Sequence, residues 1–129
     1  MTPELTVLAY AGLLQVVQFV LFSIAANLQI GPDRALGPRD QPIILTGKPG
    51  RLQRAMNNHF EALILFTIAV VLVTLGDKAN GFTGNCAWTY LIARILYIPA
   101  YYFGLSPWRS VIWFIGLIAT ILMILMSLI

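Results

Sequence analysis

The stretch Gly50 to Phe66, GRLQRAMNNHFEALILF, decides how this chain must fold. Its first half is polar and its second half apolar, and Arg54, Asn58 and Glu61 recur at i, i+4 and i+7. At 3.6 residues per turn, this spacing places the three side chains on one face of a helix. The apolar run that follows, Ala62 to Gly76, is shorter than the roughly 20 residues that cross a bilayer. The helix therefore crosses only if polar residues enter the membrane with it, and polar groups at that depth usually mark a site.

Composition indicates an integral membrane protein. Of the 129 residues, 59% are hydrophobic and 10% are charged, and the mean hydropathy is +0.83. A soluble domain carries roughly 25% charged residues. The net charge of +3 is small and the basic residues are not clustered, so no nucleic-acid partner is expected. One cysteine and one histidine give neither an intramolecular disulfide nor a metal site. The N-terminus lacks a signal-peptide pattern, so we expect the first apolar run to remain in the mature protein.

Hydropathy and helix breakers divide the chain into four predicted spans within a single domain, residues 1–129. Gly31 and Pro32 end the first span, and the loop 31–49 that follows is dense in proline and glycine. Ser106 and Pro107 predict the N-cap and the first residue of the last helix. The fold class is therefore an all-α membrane bundle of four transmembrane helices, with spans at about 5–28, 51–75, 85–104 and 107–128.

Basic residues predict the orientation of this bundle. Most of them lie near the 31–49 loop or the Ser106 turn, whereas only Lys78 lies at the opposite ends of the helices. The positive-inside rule makes the side with the long loop cytoplasmic. Both termini are then expected on the non-cytoplasmic side.

The third predicted helix carries an arginine near its middle. Tyr90, Arg94, Tyr97 and Tyr101 form one stripe at i, i+4, i+7 and i+11. At 1.5 Å per residue, Arg94 and Glu61 reach similar depths, about 15 and 10 Å from the cytoplasmic side, so an ion pair between them is predicted. Such a pair alone has a purely structural reading. The remaining polar residues of that end indicate a cationic pocket that lacks an anion: Arg51, Arg54, Asn58, Tyr97, Tyr101 and Arg109.

Other polar and aromatic residues have simpler interpretations. Gln15 and Gln18 predict hydrogen bonds between helices rather than ligand contacts. His59 lies off the Arg54–Glu61 face and is predicted to be an interfacial or intersubunit residue rather than a catalytic base. Cys86 is interpreted as a small apolar residue. Three tryptophans are interpreted as interface anchors, the last of them also as a possible substrate contact: Trp88, Trp108 and Trp113.

Two segments, RLQRAMNNHFEALILF and ARILYIPAYYFGLSPWRSV, resemble the MAPEG superfamily of membrane-associated proteins in eicosanoid and glutathione metabolism. That superfamily includes microsomal glutathione transferase, prostaglandin E synthase and leukotriene-forming synthases. The resemblance covers nearly the whole chain. It implies a homotrimer of four-helix subunits with glutathione bound between adjacent subunits inside the membrane. The chain looks like a prokaryotic member, which implies the bacterial inner membrane.

The resemblance also implies roles for individual residues. Arg109 matches the arginine that faces the thiol in the synthases, and Ser110 matches the serine beside it, so both are candidate catalytic residues. Gly50 stands where the family frequently has glutamate. The glutathione-binding positions are matched by Arg54, Asn58, Glu61, Arg94 and Tyr101, with Arg51 and Tyr97 placed in the same pocket by the pattern described above.

These observations leave two main hypotheses about function. In the first, the protein is a glutathione-dependent transferase or peroxidase, with Arg109 stabilising the thiolate and a lipophilic electrophile arriving through the bilayer. In the second, it is a non-catalytic membrane protein whose arginines hold a lipid headgroup, another anion or the trimer. A small four-helix drug exporter is disfavoured, because the first helix has no acidic residue after Glu4. Thiolate absorbance on addition of glutathione separates the first two hypotheses.

Overall fold

The computed structural model describes residues 1–37 and 44–129, so residues 38–43 of the predicted loop lie outside the described part. Four long helices and one short helix make up this part of the chain. They are α1 (Pro3–Ile30), α2 (Pro32–Leu36), α3 (Gly47–Leu75), α4 (Gly81–Tyr102) and α5 (Trp108–Leu128). The long helices correspond to the four predicted spans, with different ends.

Three of the long helices, α1, α3 and α5, are long and apolar enough to cross a membrane. The fourth, α4, has 22 residues and is less apolar than α1 and α5, because it carries Arg94 and several other polar residues. Large apolar side chains are exposed along all four helices, among them Phe19, Ile68, Ile92 and Ile118. A soluble protein does not expose apolar surface on this scale. The protein is therefore an integral membrane protein.

Helices α3 and α4 begin four residues before their predicted starts. Pro49 was interpreted as a loop residue, but it lies in the first turn of α3, where a missing N–H costs nothing. The start of α4 is fixed by a capping box. The Asn80 side chain accepts a bond from the Thr83 backbone N–H at 2.9 Å, and the Thr83 hydroxyl accepts one from the Asn80 N–H at 2.8 Å. This exchange satisfies two N–H groups at the helix start.

The described end of the loop is held against α1 and α3. Leu45 is buried beside Ala26 and Ala35, and its backbone N–H donates to the Gln53 side chain at 2.9 Å. Gly50 allows this approach, since a Cβ on it would lie 2.5 Å from the Leu45 carbonyl oxygen. Glutamate, the frequent residue in the family pattern, does not fit this arrangement.

The turn between α4 and α5 differs from its prediction. Ser106 does not cap α5; the helix begins at Trp108, after Pro107, and no side-chain hydrogen bond caps it. The turn is instead closed by backbone bonds, including one from Leu105 N–H to the Ala100 carbonyl at 2.8 Å. Gly104 has φ +68°, a conformation that glycine adopts without strain.

Helices α3 and α4 form the centre of the structure, because each packs against all three other long helices. At the end where α1 and α4 begin, twelve buried residues form an apolar cluster, which we call the packed half. It comprises Val7, Ala11, Phe66, Ala69, Val70, Val73, Cys86, Ala87, Tyr90, Leu91, Ala119 and Met123. Toward the other end the central helices carry the polar stripes. Arg94 and Tyr97 are buried there, whereas Arg54, Glu61 and Ser110 are exposed on the single chain.

Candidate ligand-binding site

The centre of the site is a contact between α3 and α4. Arg94 Nη2 donates to the Asn58 side-chain oxygen at 2.9 Å. The predicted ion pair with Glu61 is absent: no carboxylate among the described residues lies within 4.0 Å of the Arg94 guanidinium. Glu61 is exposed on the single chain. The prediction was therefore wrong about the partner of Arg94, although Glu61 and Arg94 do line the same cavity.

Arg94 is a buried cation with few partners. Only 2% of its surface is exposed, and its Nε atom has no hydrogen-bond partner in the described chain. The face of the Tyr97 ring lies 4.5 Å from the guanidinium carbon, at a distance typical of a cation–π contact. A buried charge that lacks a counter-ion is costly. This arrangement favours an anionic group from outside the chain.

Two adjacent cavities open beside this contact. The first, the Arg94 cavity, has a volume of about 160 Å³ and lies between α3, α4 and α5. The second, the Arg109 cavity, has a volume of about 360 Å³, within the range of small-molecule sites. Asn58 and Trp113 line both. The Arg94 cavity is also lined by Glu61, Tyr90, Gly116 and Thr120, and the Arg109 cavity by Tyr97, Tyr101, Ser110 and Phe114.

Tyr101 stands between two arginines at the edge of the Arg109 cavity. Its hydroxyl accepts a hydrogen bond from Arg54 Nε at 3.0 Å. The Arg54 and Arg109 guanidinium carbons lie 5.8 and 5.0 Å from its ring centre. The Tyr101 ring thus contacts Arg54 from α3 and Arg109 from α5. Arg109 lies in the first turn of its helix. A helix N-terminus also favours negative charge. An anion in this cavity would therefore be stabilised both by the Arg109 charge and by the N-terminal end of α5.

Arg51 does not line either cavity. Its Nη1 atom lies 3.4 Å from the Tyr102 carbonyl oxygen at the C-terminal end of α4, to which it donates. The guanidinium also packs on Gly104, where a Cβ would lie 3.0 Å from it. A cation at this end of a helix stabilises the last carbonyl groups. In the single chain, Arg51 therefore fastens α3 to the end of α4.

The interior contains His59, contrary to its predicted place at an interface. The side chain is fully buried, and its Nδ1 atom lies 2.7 Å from the Gln15 side-chain oxygen on α1. This contact confirms the predicted interhelical bond for Gln15. Gln18 is different, because its amide donates to the Leu14 carbonyl of its own helix at 3.3 Å. Cys86 is buried in the packed half, as its apolar interpretation predicts.

Sequence reasoning placed Arg109 and Ser110 in the site and gave Trp113 as a possible substrate contact, but it missed Gly116 and Thr120 on the α5 wall. Trp113, Gly116 and Thr120 line the Arg94 cavity. Together with Arg109 they recur at i, i+4, i+7 and i+11, which is the spacing of a single helical stripe. That spacing was readable in the sequence. Tyr90 was placed on the α4 stripe but not in the site; it lines the same cavity, and its hydroxyl has no partner among the described residues.

Exposed apolar helices around a polar, arginine-containing interior define the class of this chain as an integral membrane protein. The MAPEG family matches residues 7–129, almost the whole chain. The chain belongs to the MAPEG family. Comparisons with curated proteins and with solved structures found no match.

Proposed function

We propose that this protein is a glutathione-dependent membrane transferase or peroxidase that acts on lipophilic electrophiles. One observation carries the proposal: Arg94 and Arg109 line adjacent cavities and have no carboxylate partner within 4.0 Å in the described chain. The family to which the chain belongs includes glutathione transferases. Two unpaired cations beside one another favour a ligand with more than one negative charge.

The residues present fit glutathione. Its two carboxylates need fixed cations, and a guanidinium binds a carboxylate through two parallel hydrogen bonds. Arg94 Nε and the Tyr90 hydroxyl are buried and unpartnered, so they are free to donate. The ammonium group of the tripeptide needs an anion, and Glu61 lies at the Arg94 cavity. Arg54, Asn58, Tyr97 and Tyr101 complete the proposed binding set, with Arg51 supporting it from the end of α4.

Glutathione, when bound, supplies a thiol whose deprotonated form is a nucleophile. The chain's contribution is to stabilise negative charge at one place. Arg109 presents a full positive charge in the first turn of α5, and Ser110 adds a hydroxyl beside it in the same cavity. Trp113 and Phe114 line this cavity and give it partly apolar walls. A charge interaction in such surroundings is stronger than the same interaction in water.

The proposal includes an assembly and a membrane orientation. We place four transmembrane helices per subunit, with α4 as the fourth span, and three subunits in a homotrimer. Two features of the single chain support contacts through α3: Glu61 is exposed there, and so are Phe60 and Ile64. The distribution of arginine and lysine supports a cytoplasmic loop, non-cytoplasmic termini and, for a prokaryotic chain, the bacterial inner membrane.

The experiment compares wild type with Arg109→Leu in mild detergent, following thiolate absorbance and glutathione binding. We expect wild type to form a thiolate and to conjugate a test electrophile such as a chlorodinitrobenzene. Arg109→Leu should lose both while retaining most of the binding, because the other arginines remain. Ser110→Ala is the matched control; it should lose less, since a hydroxyl contributes one hydrogen bond rather than a charge.

Two results would overturn the enzyme proposal. A wild-type protein that binds glutathione without thiolate absorbance, combined with loss of binding in Arg109→Leu, would make Arg109 a carboxylate or headgroup clamp. The alternative, a non-catalytic MAPEG protein that holds a lipid or another anion in the same cavities, would then be favoured. Absence of any glutathione binding would support the same alternative.

A further inference from the structure

The opposite end of the bundle contains a third cavity, which the proposed function does not use. It has a volume of about 440 Å³ and lies where α1 and α4 begin, beside the α3–α4 turn. Helix α3 has 29 residues and spans about 44 Å at 1.5 Å per residue, so this cavity is remote from Arg51 and Arg109. The lining residues that carry the argument are Glu4, Asn80, Gly84, Asn85 and Trp88.

Glu4 is the unusual residue in this cavity. Only 1% of its surface is exposed. Its carboxylate has neither a hydrogen bond nor an ion pair in the described chain, and Lys78, on the nearby turn, is not within 4.0 Å of it. Its Oε1 atom lies against Gly84, where an added Cβ would approach it to 3.1 Å. Acidic residues in proteins are almost never buried unless they are paired.

The residues around the carboxylate favour an organic cation. Asn85 is exposed and its side-chain amide has no partner in the described chain, so its oxygen is available as an acceptor. The Asn80 side chain is already used in the capping box. Trp88 is 40% exposed, and its ring lies 6.1 Å from that of Tyr10. Tryptophan has the aromatic face that attracts cations most strongly.

A metal ion fits this cavity less well than an ammonium group. The lining contains one carboxylate, and the described residues contain no group of three acidic, histidine or cysteine side chains that could hold a metal. Calcium and magnesium take six or more oxygen ligands, and zinc usually takes four ligands that include histidine or cysteine. An ammonium group needs a carboxylate, one or two further acceptors and an aromatic face, which are the groups present here.

We propose that Glu4, Asn85 and Trp88 form a binding site for a primary ammonium group at this end of the helices. The carboxylate accepts its charge-assisted hydrogen bond, the Asn85 amide oxygen accepts a second one, and the indole face covers the cation. The group belongs to a phospholipid headgroup or to a free amine. The cavity lies at the end of apolar helices. If the ammonium group belongs to a phospholipid, the acyl chains of that lipid would therefore lie along the exposed apolar faces of the helices.

The test uses the full chain reconstituted in two kinds of vesicle, phosphatidylglycerol alone and phosphatidylglycerol with phosphatidylethanolamine. Phosphatidylethanolamine should raise the melting temperature of wild type by several degrees. In Glu4→Gln, the fraction of phosphatidylethanolamine needed for half of this shift should increase about ten-fold or more, since a charge-assisted hydrogen bond is lost. Asp77→Asn is the matched control. It removes an exposed carboxylate at the same end, outside the cavity, and should behave as wild type.

A second arm distinguishes the two sources. Ethanolamine added to phosphatidylglycerol vesicles should have no effect if the headgroup source is correct, and should reproduce the shift if the site takes a free amine. If wild type responds to neither probe, or if Glu4→Gln responds as wild type does, the proposal is wrong. Should Glu4→Gln fail to fold, Asn85→Ala and Trp88→Leu decide: the proposal fails if both retain the full response.

Discussion

The two halves of this molecule use the same helices in opposite ways. In the packed half, twelve buried residues pack against one another, and Phe66 stacks on Tyr90 with ring centres 3.9 Å apart. The other half, which we call the arginine half, comprises Arg51, Arg54, Asn58, Arg94, Tyr97, Tyr101 and Arg109. All of these except Arg51 and Arg54 line one or both of two cavities. Tyr90 lies at the boundary and belongs to both the apolar cluster and the Arg94 cavity.

This difference supports a division of roles, in which the packed half stabilises the fold and the arginine half holds the proposed ligand. Well-packed interiors leave few voids, and the packed half follows this rule. The arginine half contains a guanidinium that is 2% exposed and joined to the chain by one side-chain hydrogen bond. A buried charge without a counter-ion is costly. An anionic ligand of the kind proposed above would offset that cost.

The largest expected effect on stability is in the packed half. Phe66→Ala removes a fully buried ring from the stack on Tyr90. The free energy of unfolding in detergent should fall by about 3 kcal/mol, the low end for such changes. In apolar surroundings the hydrophobic effect contributes little to helix association, so the variant loses mainly packing contacts. Phe19→Ala, a half-exposed phenylalanine on α1, is the control and should change it by less than about 0.5 kcal/mol. Similar losses in both variants would mean that the packed half is not the more tightly packed one.

The second prediction concerns the partner of Arg94 in the arginine half. A double-mutant cycle with Arg94→Met and Asn58→Ala, measured by unfolding without glutathione, should give a coupling of about 1.5 kcal/mol or more, as expected for a hydrogen bond to a charged group. The parallel cycle with Arg94→Met and Glu61→Gln should give less than about 0.5 kcal/mol. The reverse order of the two couplings would restore the ion pair predicted from the sequence.

The fold was largely predictable because hydropathy carries most of its information. The four long helices follow from apolar runs separated by breakers. The helix ends were less accurate, since local hydrogen bonds determine them. Asn80 and Thr83 form a reciprocal cap that uses threonine where the usual pattern has glutamate or glutamine. Ser106 has the right identity for an N-cap but lies in a turn that backbone bonds close.

The candidate site was partly predictable in membership but not in pairing, since Arg51 lies outside both cavities and Gly116 and Thr120 line one of them. Rise per residue gives the depth of a side chain, yet Asn58 and Glu61 differ in depth by only about 4.5 Å. An arginine side chain reaches across that difference, so depth alone did not decide its partner. His59 was misplaced for a similar reason. The Arg54–Glu61 face was treated as the only interior face of α3, whereas α1 covers another and supplies Gln15.

The smallest expected effect concerns Tyr101, which contacts two arginines of different proposed roles. Tyr101→Phe removes the hydroxyl that accepts from Arg54 at 3.0 Å but keeps the ring beside Arg109. Glutathione should bind a few-fold more weakly, because one hydrogen bond of about 0.5–1.5 kcal/mol no longer orients Arg54. Thiolate absorbance at saturating glutathione should not change, because Arg109 keeps its position.

Tyr101→Leu provides the contrast, since it removes the ring as well as the hydroxyl. Binding should weaken further, and thiolate absorbance at saturation should fall, because Arg109 loses the aromatic face 5.0 Å from its guanidinium carbon. A Tyr101→Phe variant that binds glutathione as wild type does but forms no thiolate would contradict this division of roles. The Tyr101 hydroxyl, rather than the Arg109 guanidinium, would then be the group that stabilises the glutathione thiolate.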